Sequence, residues 1–415
     1  SNLARTREVM SLSMPLLSTF LCKVSFLLLL YIKFFFLIFA FFMKKLLIIA
    51  SVFPEPSTTA AGLRMLDLIQ FFLEQEYQIL LVSAASLSAR SAPLEALNIQ
   101  MKSIVLNDAS FDVLLKEFQP NIVLFDRFVM EEQYGWRVSE ILPNALKILD
   151  TEDLHFLRKA RQAAYNAKVA FTEEMLYSEE AKRELASLLR CDLSLIISSY
   201  EMELLKREFK IPEELLLYLP LLVEENTKQK TFPSFEERKH FVTAGNFYHA
   251  PNLAAVLRLK RGIWPFIRKE LPQAEIHIYG AYAPEQVLQM HKPTEGFFVD
   301  GWVEDLEAVL QNAKICLTPL SYGAGLKGKL LQSMLNGTPI VTTNIGAEAM
   351  YGNYQVPGII ANDNDSIVQA AIKLYTQKAR WESCLIDIPN ILSDLYNKKK
   401  FLKEFSDRLE FLVEN

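Results

Sequence analysis

Cysteine is nearly absent: four residues, Cys22, Cys191, Cys316 and Cys384, are scattered over 415 positions. None sits in a CxxC pair or a Cys/His cluster, so neither a disulfide framework nor a zinc site is expected. Cys191 and Cys316 adjoin apolar runs and read as reduced core residues. An excess of one charge is missing too, with 44 Lys and Arg against 49 Asp and Glu and a net charge of −5. That balance excludes a nucleic-acid partner held by bulk electrostatics. Any phosphate this chain binds must be gripped by local geometry. Glycine is scarce, at 14 residues, so places where glycines gather are informative. The apolar run Leu46 to Phe53 passes straight into Pro54 with no GxGxxG turn, which disfavours a nicotinamide-dependent oxidoreductase.

What is present is a globular composition, 51% hydrophobic and 22% charged, at a length that suits two α/β domains. Continuous apolar runs at 46–53, 79–82, 122–125, 146–149 and 193–197 read as buried parallel strands. Helical patterns such as Leu63 to Glu74 and Glu179 to Leu189 separate them, the alternation of a doubly wound sheet. From Glu224 to Lys239 the chain turns polar and loses period. Strands at 240–243, 275–279, 296–299, 315–317 and 340–342 then define a second set, with helices expected at 252–269, 305–311 and 329–336. The expected organisation is a hydrophobic segment at 1–42, a Rossmann-like domain at 43–223, and a linker at 224–239. A second Rossmann-like domain follows at 240–390, then a helical tail at 391–415 whose Lys398-Lys399-Lys400 run reads as a solvated face. Val24 to Phe42 is apolar except for Ser25 and Lys33, and ~20 such residues span a ~30 Å hydrocarbon core. It is either a signal anchor or upstream sequence ahead of a start at Met43, which its Phe/Leu/Ile/Lys monotony favours.

The densest information lies between Pro319 and Met350. An apolar run ends at Pro319, Gly323-Ala324-Gly325 turns the chain, Lys327 and Lys329 follow, and a helical segment stops at Asn336-Gly337. A buried strand, Pro339 to Thr343, comes next. A glycine turn feeding a helix N-terminus presents N–H groups and the positive end of the helix dipole to an anion. With two cations at the turn, a diphosphate is the natural ligand.

Several separated segments together resemble GT-B glycosyltransferases of the family-4 kind. PEPSTTAAGLRMLDLIQFFLEQEYQILLVS is similar to the first β-loop-α of that family, and SLIISSYEMELL to the strand and following Ser/Glu turn, with Glu201, at the end of its first domain. HFVTAGNFYHAPNLAAVLRLKRGIWPFIRKELPQAEIHIYGAY resembles the opening of the second domain. FFVDGWVEDLEAVLQNAKICLTPL resembles the segment around the nucleotide base, and the glycine stretch resembles the GxGxKxK variant of the donor site. The likeness runs from Met43 to about Leu374. It implies an α/β fold of two Rossmann-like domains facing a cleft, and metal-independent transfer of a hexose to a hydroxyl acceptor with retained configuration.

The resemblance also implies roles. Gly245, Asn246, Gly280, Gly323, Gly325, Lys327 and Lys329 would surround the donor phosphates. Trp302 and Val303 would face the base through their backbone. Gly62, Arg64, Asp126 and Arg127 would lie on the acceptor side. Asp150 and His155, in the strand-end cluster DTEDLHFLR, would act at the transferring sugar, with Asp150 or Asp153 fixing the histidine's tautomer. The alternative for that cluster is a helix N-cap at Thr151 or Asp153. No DxD stands in a fitting context, so no metal or other cofactor is expected.

The chain departs from the pattern at two acidic positions. Gln332 stands where the family places a ribose-binding glutamate, and Ser321-Tyr322-Gly323 where it places another carboxylate. Glu348 is close by but is given no catalytic role. The expected partners are a UDP- or GDP-linked sugar and a glycan or lipid-linked acceptor, with no nucleic acid and with peripheral or anchored membrane association. The expected place is the cytoplasm or the cytoplasmic face of a membrane. A catalytically degenerate nucleotide-sugar-binding protein and a GT-B nucleotide-sugar epimerase stand as alternatives.

Overall fold

The computed structural model describes residues 44–224 and 231–414. The apolar run at 24–42, the start at Met43 and residues 225–230 of the polar linker lie outside the described residues. Among the described residues no helix is long and apolar enough to cross a membrane.

Apolar runs without alternation require a strand covered on both faces, and the first sheet supplies that. Its strands are β1 (Lys45–Ala50), β2 (Gln78–Ser83), β3 (Gln100–Ser103), β4 (Ile122–Asp126), β5 (Leu146–Asp150), β6 (Leu193–Ile196) and β7 (Leu216–Tyr218). They run in the order β3-β2-β1-β4-β5-β6-β7. All neighbours are parallel, with Ile48 registered between Leu81 and Leu124. Alternate residues of β1 feed opposite faces, so Leu47 and Ile49 enter one core cluster and Leu46 and Ile48 the other.

The second sheet holds β8 (Lys239–Ala244), β9 (Ile276–Tyr279), β10 (Phe297–Gly301), β11 (Ala313–Thr318), β12 (Ile340–Thr342) and β13 (Gly358–Ile360). Their order is β10-β9-β8-β11-β12-β13. In each sheet the strand order reverses at the first strand, between β1 and β4 and between β8 and β11. Such switch points open a crevice at the strands' C-terminal ends.

Three strands escaped the reading of the sequence. β3, β7 and β13 lie at sheet edges or span three residues, too short for a period to register. The helix expected at 252–269 is two helices, Ala250–Arg258 and Trp264–Glu270, joined by a π turn at Leu259–Ile263. Pro265 explains the break: it has no N–H to donate, and its ring crowds the carbonyl one turn back.

Arg238 lies within the stretch read as linker, yet it is 1% exposed and donates to the carbonyls of Leu310, Ala313 and Asn336. The second domain therefore begins before β8. At the other end, the helix Ile388–Leu395 straddles the expected boundary at residue 390, and Ile391 and Leu392 join the second domain's core. The last helix, Lys398–Glu414, crosses back to the first sheet, where Phe401, Phe405 and Leu409 enter its core. Lys398 is not part of a solvated face, because its ammonium bridges Asp67 and Glu224 at 3.0 and 2.8 Å.

Candidate active site

The C-terminal ends of both sheets border one cavity of about 810 Å³ between the domains. The second domain contributes the turn after β8 (Gly245, Asn246), the end of β9 (Tyr279, Gly280), the segment from Trp302 to Glu307, and the glycine loop from Tyr322 to Lys329. That loop runs into the helix Gly328–Leu335, whose Gln332 also lines the cavity. The first domain contributes Ser57 to Ala61 at the start of the helix Ala60–Glu74, then Arg127 after β4, then Glu152, Asp153, His155 and Arg158 after β5.

Two glycines are required by close approach. A Cβ at Gly280 would lie 2.0 Å from the Gly245 carbonyl oxygen, and one at Gly325 would lie 2.8 Å from the Asp153 Cβ across the domain boundary. Gly325 also has φ +64°, where a side chain is strained. Lys327 caps the helix after the loop and is 8% exposed, with Nζ donating to the Gly325 carbonyl at 2.6 Å. Lys329 Nζ donates to Asn252 Oδ1 at 2.5 Å. Burial lowers both ammonium groups, that of Lys329 to about 8, while Glu348 and Glu201 oppose the shift at Lys327. Two cations drawn down by desolvation beside a helix N-terminus make a strong anion cradle, because an arriving dianion relieves both.

Opposite them, burial pushes the His155 imidazole down to about 4 against the pull of Asp153, so the ring is neutral at physiological pH. Its Nε2 stands 3.6 Å from Asp153 Oδ1, and Phe128 packs edge-on to the ring. His249, from the second domain, is likewise pushed down to about 4 by burial and by Arg158, whose guanidinium lies 3.3 Å from its Nε2. Glu152 has φ +61° and a carboxyl raised to about 8 by burial and by the charge of Asp150. Its Oε1 is buried with no hydrogen-bond partner among the described residues. Arg127, at φ +72°, is a second strained backbone position at the cleft.

Four residues expected at the ligand are occupied elsewhere. Asp150 does not orient His155; it is fully buried and ion-paired to Arg64 at 2.9 Å. Arg64 borders the cavity, as expected, but is equally committed, since Nη1 donates to the carbonyls of Leu219 and Pro220 at 2.7 and 3.0 Å. Asp126 accepts from the Ser51 amide and hydroxyl at 3.0 and 2.7 Å, tying β4 to the loop after β1. At Gly62 a Cβ would lie 2.5 Å from the Glu55 backbone, so the chain's own packing requires this glycine. The N-cap alternative at Thr151 or Asp153 also fails. Glu184 carboxylate oxygens accept the first amides of the helix His155–Ala167, from His155 and Phe156 at 3.0 and 2.8 Å.

Glu201 was read only as part of a Ser/Glu turn, and the structure shows more. Its Oε1 accepts from the Leu154 amide at 3.1 Å and from the Gly325 amide of the other domain at 2.8 Å. Arg161 is a second stitch between domains, pairing with both Glu348 oxygens and donating to the Gly323 carbonyl at 2.8 Å. On the opposite rim Tyr282 donates to Glu55, and Trp302 Nε1 donates to the Ser57 carbonyl. Burial raises Glu201 from 4.5 to about 8. The folded state thus holds a proton that the unfolded chain releases, and Glu201 makes stability fall as pH rises between about 4.5 and 8. Glu201→Gln keeps the accepting oxygen and removes the titration, so its Tm should decline less steeply than wild type from about pH 5 to 8. Equal slopes in the two proteins would show that Glu201 does not carry this proton.

Two doubly wound parallel sheets facing one cleft, with a glycine-loop anion cradle on one side, define the GT-B class of protein. Residues 238–377, within the second domain, match the family described as Glycosyl transferases group 1. Among structures, a glycosyltransferase from Rickettsia africae ESF-5 superposes with TM-score 0.65 at 10% identity, covering 90% of this chain and 100% of its own. Anabaena Alr3699/HepE in complex with UDP and glucose superposes with TM-score 0.64 at 13% identity, covering 88% and 99%. A curated relative, an uncharacterized 44.6 kDa protein in the cps region of Klebsiella pneumoniae, is 24% identical over 164 residues. That match covers 38% of this chain and spans 42% of the relative's length.

Proposed function

We propose that the protein transfers a hexose from a nucleoside-diphosphate sugar to a hydroxyl acceptor, with retention of configuration. The observation that carries this reading is the pairing, in one cavity, of a glycine-loop cradle holding the buried Lys327 and half-buried Lys329 with a neutral histidine and a protonated carboxyl from the other domain. The bond from the anomeric carbon to the diphosphate breaks as the acceptor oxygen bonds to the same face, and the acceptor's hydroxyl proton passes to the departing diphosphate oxygen. Negative charge then builds on the diphosphate oxygens, where Lys327, Lys329, the loop amides and the helix N-terminus stand. Groups fixed in a dry cleft stabilise such charge without reorganising, and on this reading they serve in place of a metal. His155 hydrogen-bonds a sugar hydroxyl. The unpartnered carboxyl of Glu152 supplies a second contact on that side. The stitches at Arg161, Glu201, Tyr282 and Trp302 keep the cleft closed and limit hydrolysis of the donor.

UDP is the preferred nucleotide by analogy: a neighbour of the same fold is described in complex with UDP and glucose. On this reading Trp302, Val303 and the turn at Gly280, all lining the cavity, meet the base, and Gln332 hydrogen-bonds the ribose through a neutral amide. The test is thermal stability against UDP-, GDP- and ADP-sugars, followed by product analysis. A selective UDP-hexose shift is expected; at a hundredfold excess over Kd the stabilisation is about 2.7 kcal/mol. A shift without transfer or hydrolysis would favour the degenerate binding protein prompted by Gln332, and a converted nucleotide sugar the epimerase. No shift with any donor would remove the proposal.

A further inference from the structure

Outside the cleft, β8 and β9 bring together a set of side chains that the transfer reaction does not use. Phe241 is registered with Ile276, so His240 lies opposite Glu275, and His277 is two residues on from Glu275, on the same face. The three offer ligand atoms that all lie within 4.8 Å of one another. We propose that His240, Glu275 and His277 form a zinc-binding site of the second domain.

The geometry fits the ion. Glu275 Oε2 stands 2.9 Å from His240 Nδ1 and 3.7 Å from His277 Nε2. Zinc bonds to nitrogen and oxygen of about 2.0–2.1 Å put tetrahedral ligands about 3.3 Å apart, a spacing these two distances bracket. Two imidazoles and one carboxylate leave the fourth position to water. The side chains are 42%, 37% and 20% exposed for His240, Glu275 and His277, so an ion can enter from solvent.

The surroundings orient the donors. His277 Nδ1 lies 2.8 Å from Asp300 Oδ2, so this nitrogen carries the proton and Nε2 presents its lone pair to the cluster. That Nε2 is buried and has no hydrogen-bond partner among the described residues. A lone pair there faces the Glu275 carboxylate oxygen, a contact that either a proton or a bound cation relieves. A carboxylate behind a ligating histidine is the usual means of fixing its tautomer. Asp300 reaches this place because β10 bulges against β9 between Val299 and Gly301. Phe298 stacks on the His277 ring at 4.7 Å and 5°. His240 itself has φ +59°, a strained backbone for a non-glycine residue. None of the three ligands lines the cleft cavity, so the metal would pin β8 to β9 and take no part in transfer.

The experiment uses the tag-free full chain, stripped with EDTA and titrated with zinc chloride. One zinc per chain is expected, with a rise in Tm that EDTA reverses. His277→Gln or Glu275→Gln should weaken binding at least tenfold, and Asp300→Asn about 10- to 100-fold. His291→Gln, a histidine outside the cluster, should leave it unchanged. Should a ligand variant fail to fold, the cobalt(II) spectrum of the wild-type protein decides. Tetrahedral d–d bands without a thiolate charge-transfer band support the site, and a thiolate band overturns it. No retained zinc, or zinc affinity indifferent to His277→Gln and Glu275→Gln, also overturns it.

Discussion

Lys327→Ala is expected to lower kcat/KM for sugar transfer by about 10²–10³-fold, the usual cost of removing one preorganised stabiliser of transition-state charge. The lysine is 8% exposed at the mouth of a helix, and its ammonium touches a backbone carbonyl at 2.6 Å. Burial already drives the group toward neutrality, so the charge that builds on a leaving diphosphate interacts with it more strongly than the ground state does. The loss should therefore fall on kcat rather than on KM. Lys327→Arg should not rescue activity, because a planar fork does not reproduce the point contact of the ammonium with the Gly325 carbonyl. Steady-state kinetics with the donor found in the thermal panel provide the check. A raised KM at unchanged kcat would reduce Lys327 to a binding group, and unchanged kinetics would place the diphosphate elsewhere.

The glycine loop was legible because its signal is local: glycines, lysines and a helix start lie within one short stretch, and each has a backbone reason to be there. The same holds for the buried strands, whose apolar runs need no partner to be recognised. Partner choice across long sequence separations was not legible. Asp150 sits at a strand end, where a cleft carboxylate belongs, yet the chain returns Arg64 to it from 86 residues away. Glu201 looked like part of a turn, but it accepts the amide of Gly325, 124 residues distant. Arg161 and Glu348 carry no local mark at all, and only the closed cleft makes them a pair. The His240, Glu275 and His277 cluster was invisible for a related reason: its spacing in sequence matches no ligand motif, and strand register alone assembles it. Edge strands such as Gln100–Ser103 failed through solvent exposure, which removes the apolar pattern.

Arg64→Ala is expected to be among the most destabilising single changes in the first domain, at about 3–5 kcal/mol, because it strands a buried carboxylate. The Asp150 side chain is 0% exposed and Arg64 is 2% exposed, so water cannot replace the lost partner. The carbonyls of Leu219 and Pro220 lose their donor at the same time. At about 2–4 °C per kcal/mol for a domain of this size, Tm should fall by roughly 10 °C. Asp150→Asn tests the other half of the pair. It leaves the guanidinium buried with a neutral acceptor, so it should cost stability as well. If the carboxylate only holds Arg64, the folded variant assayed well below its Tm should keep kcat within a few-fold of wild type. A drop in kcat of a hundredfold or more with Tm preserved would restore Asp150 to the chemistry, and would mean that the ion pair opens when substrate binds. Replacing both partners with apolar residues of similar volume should recover much of the stability lost in Arg64→Ala, since buried pairs are weak stabilisers and broken pairs are costly. Denaturant unfolding of the three variants separates the effects: a lower midpoint at unchanged slope marks lost stability, whereas a changed slope would show that the first sheet no longer unfolds as one unit.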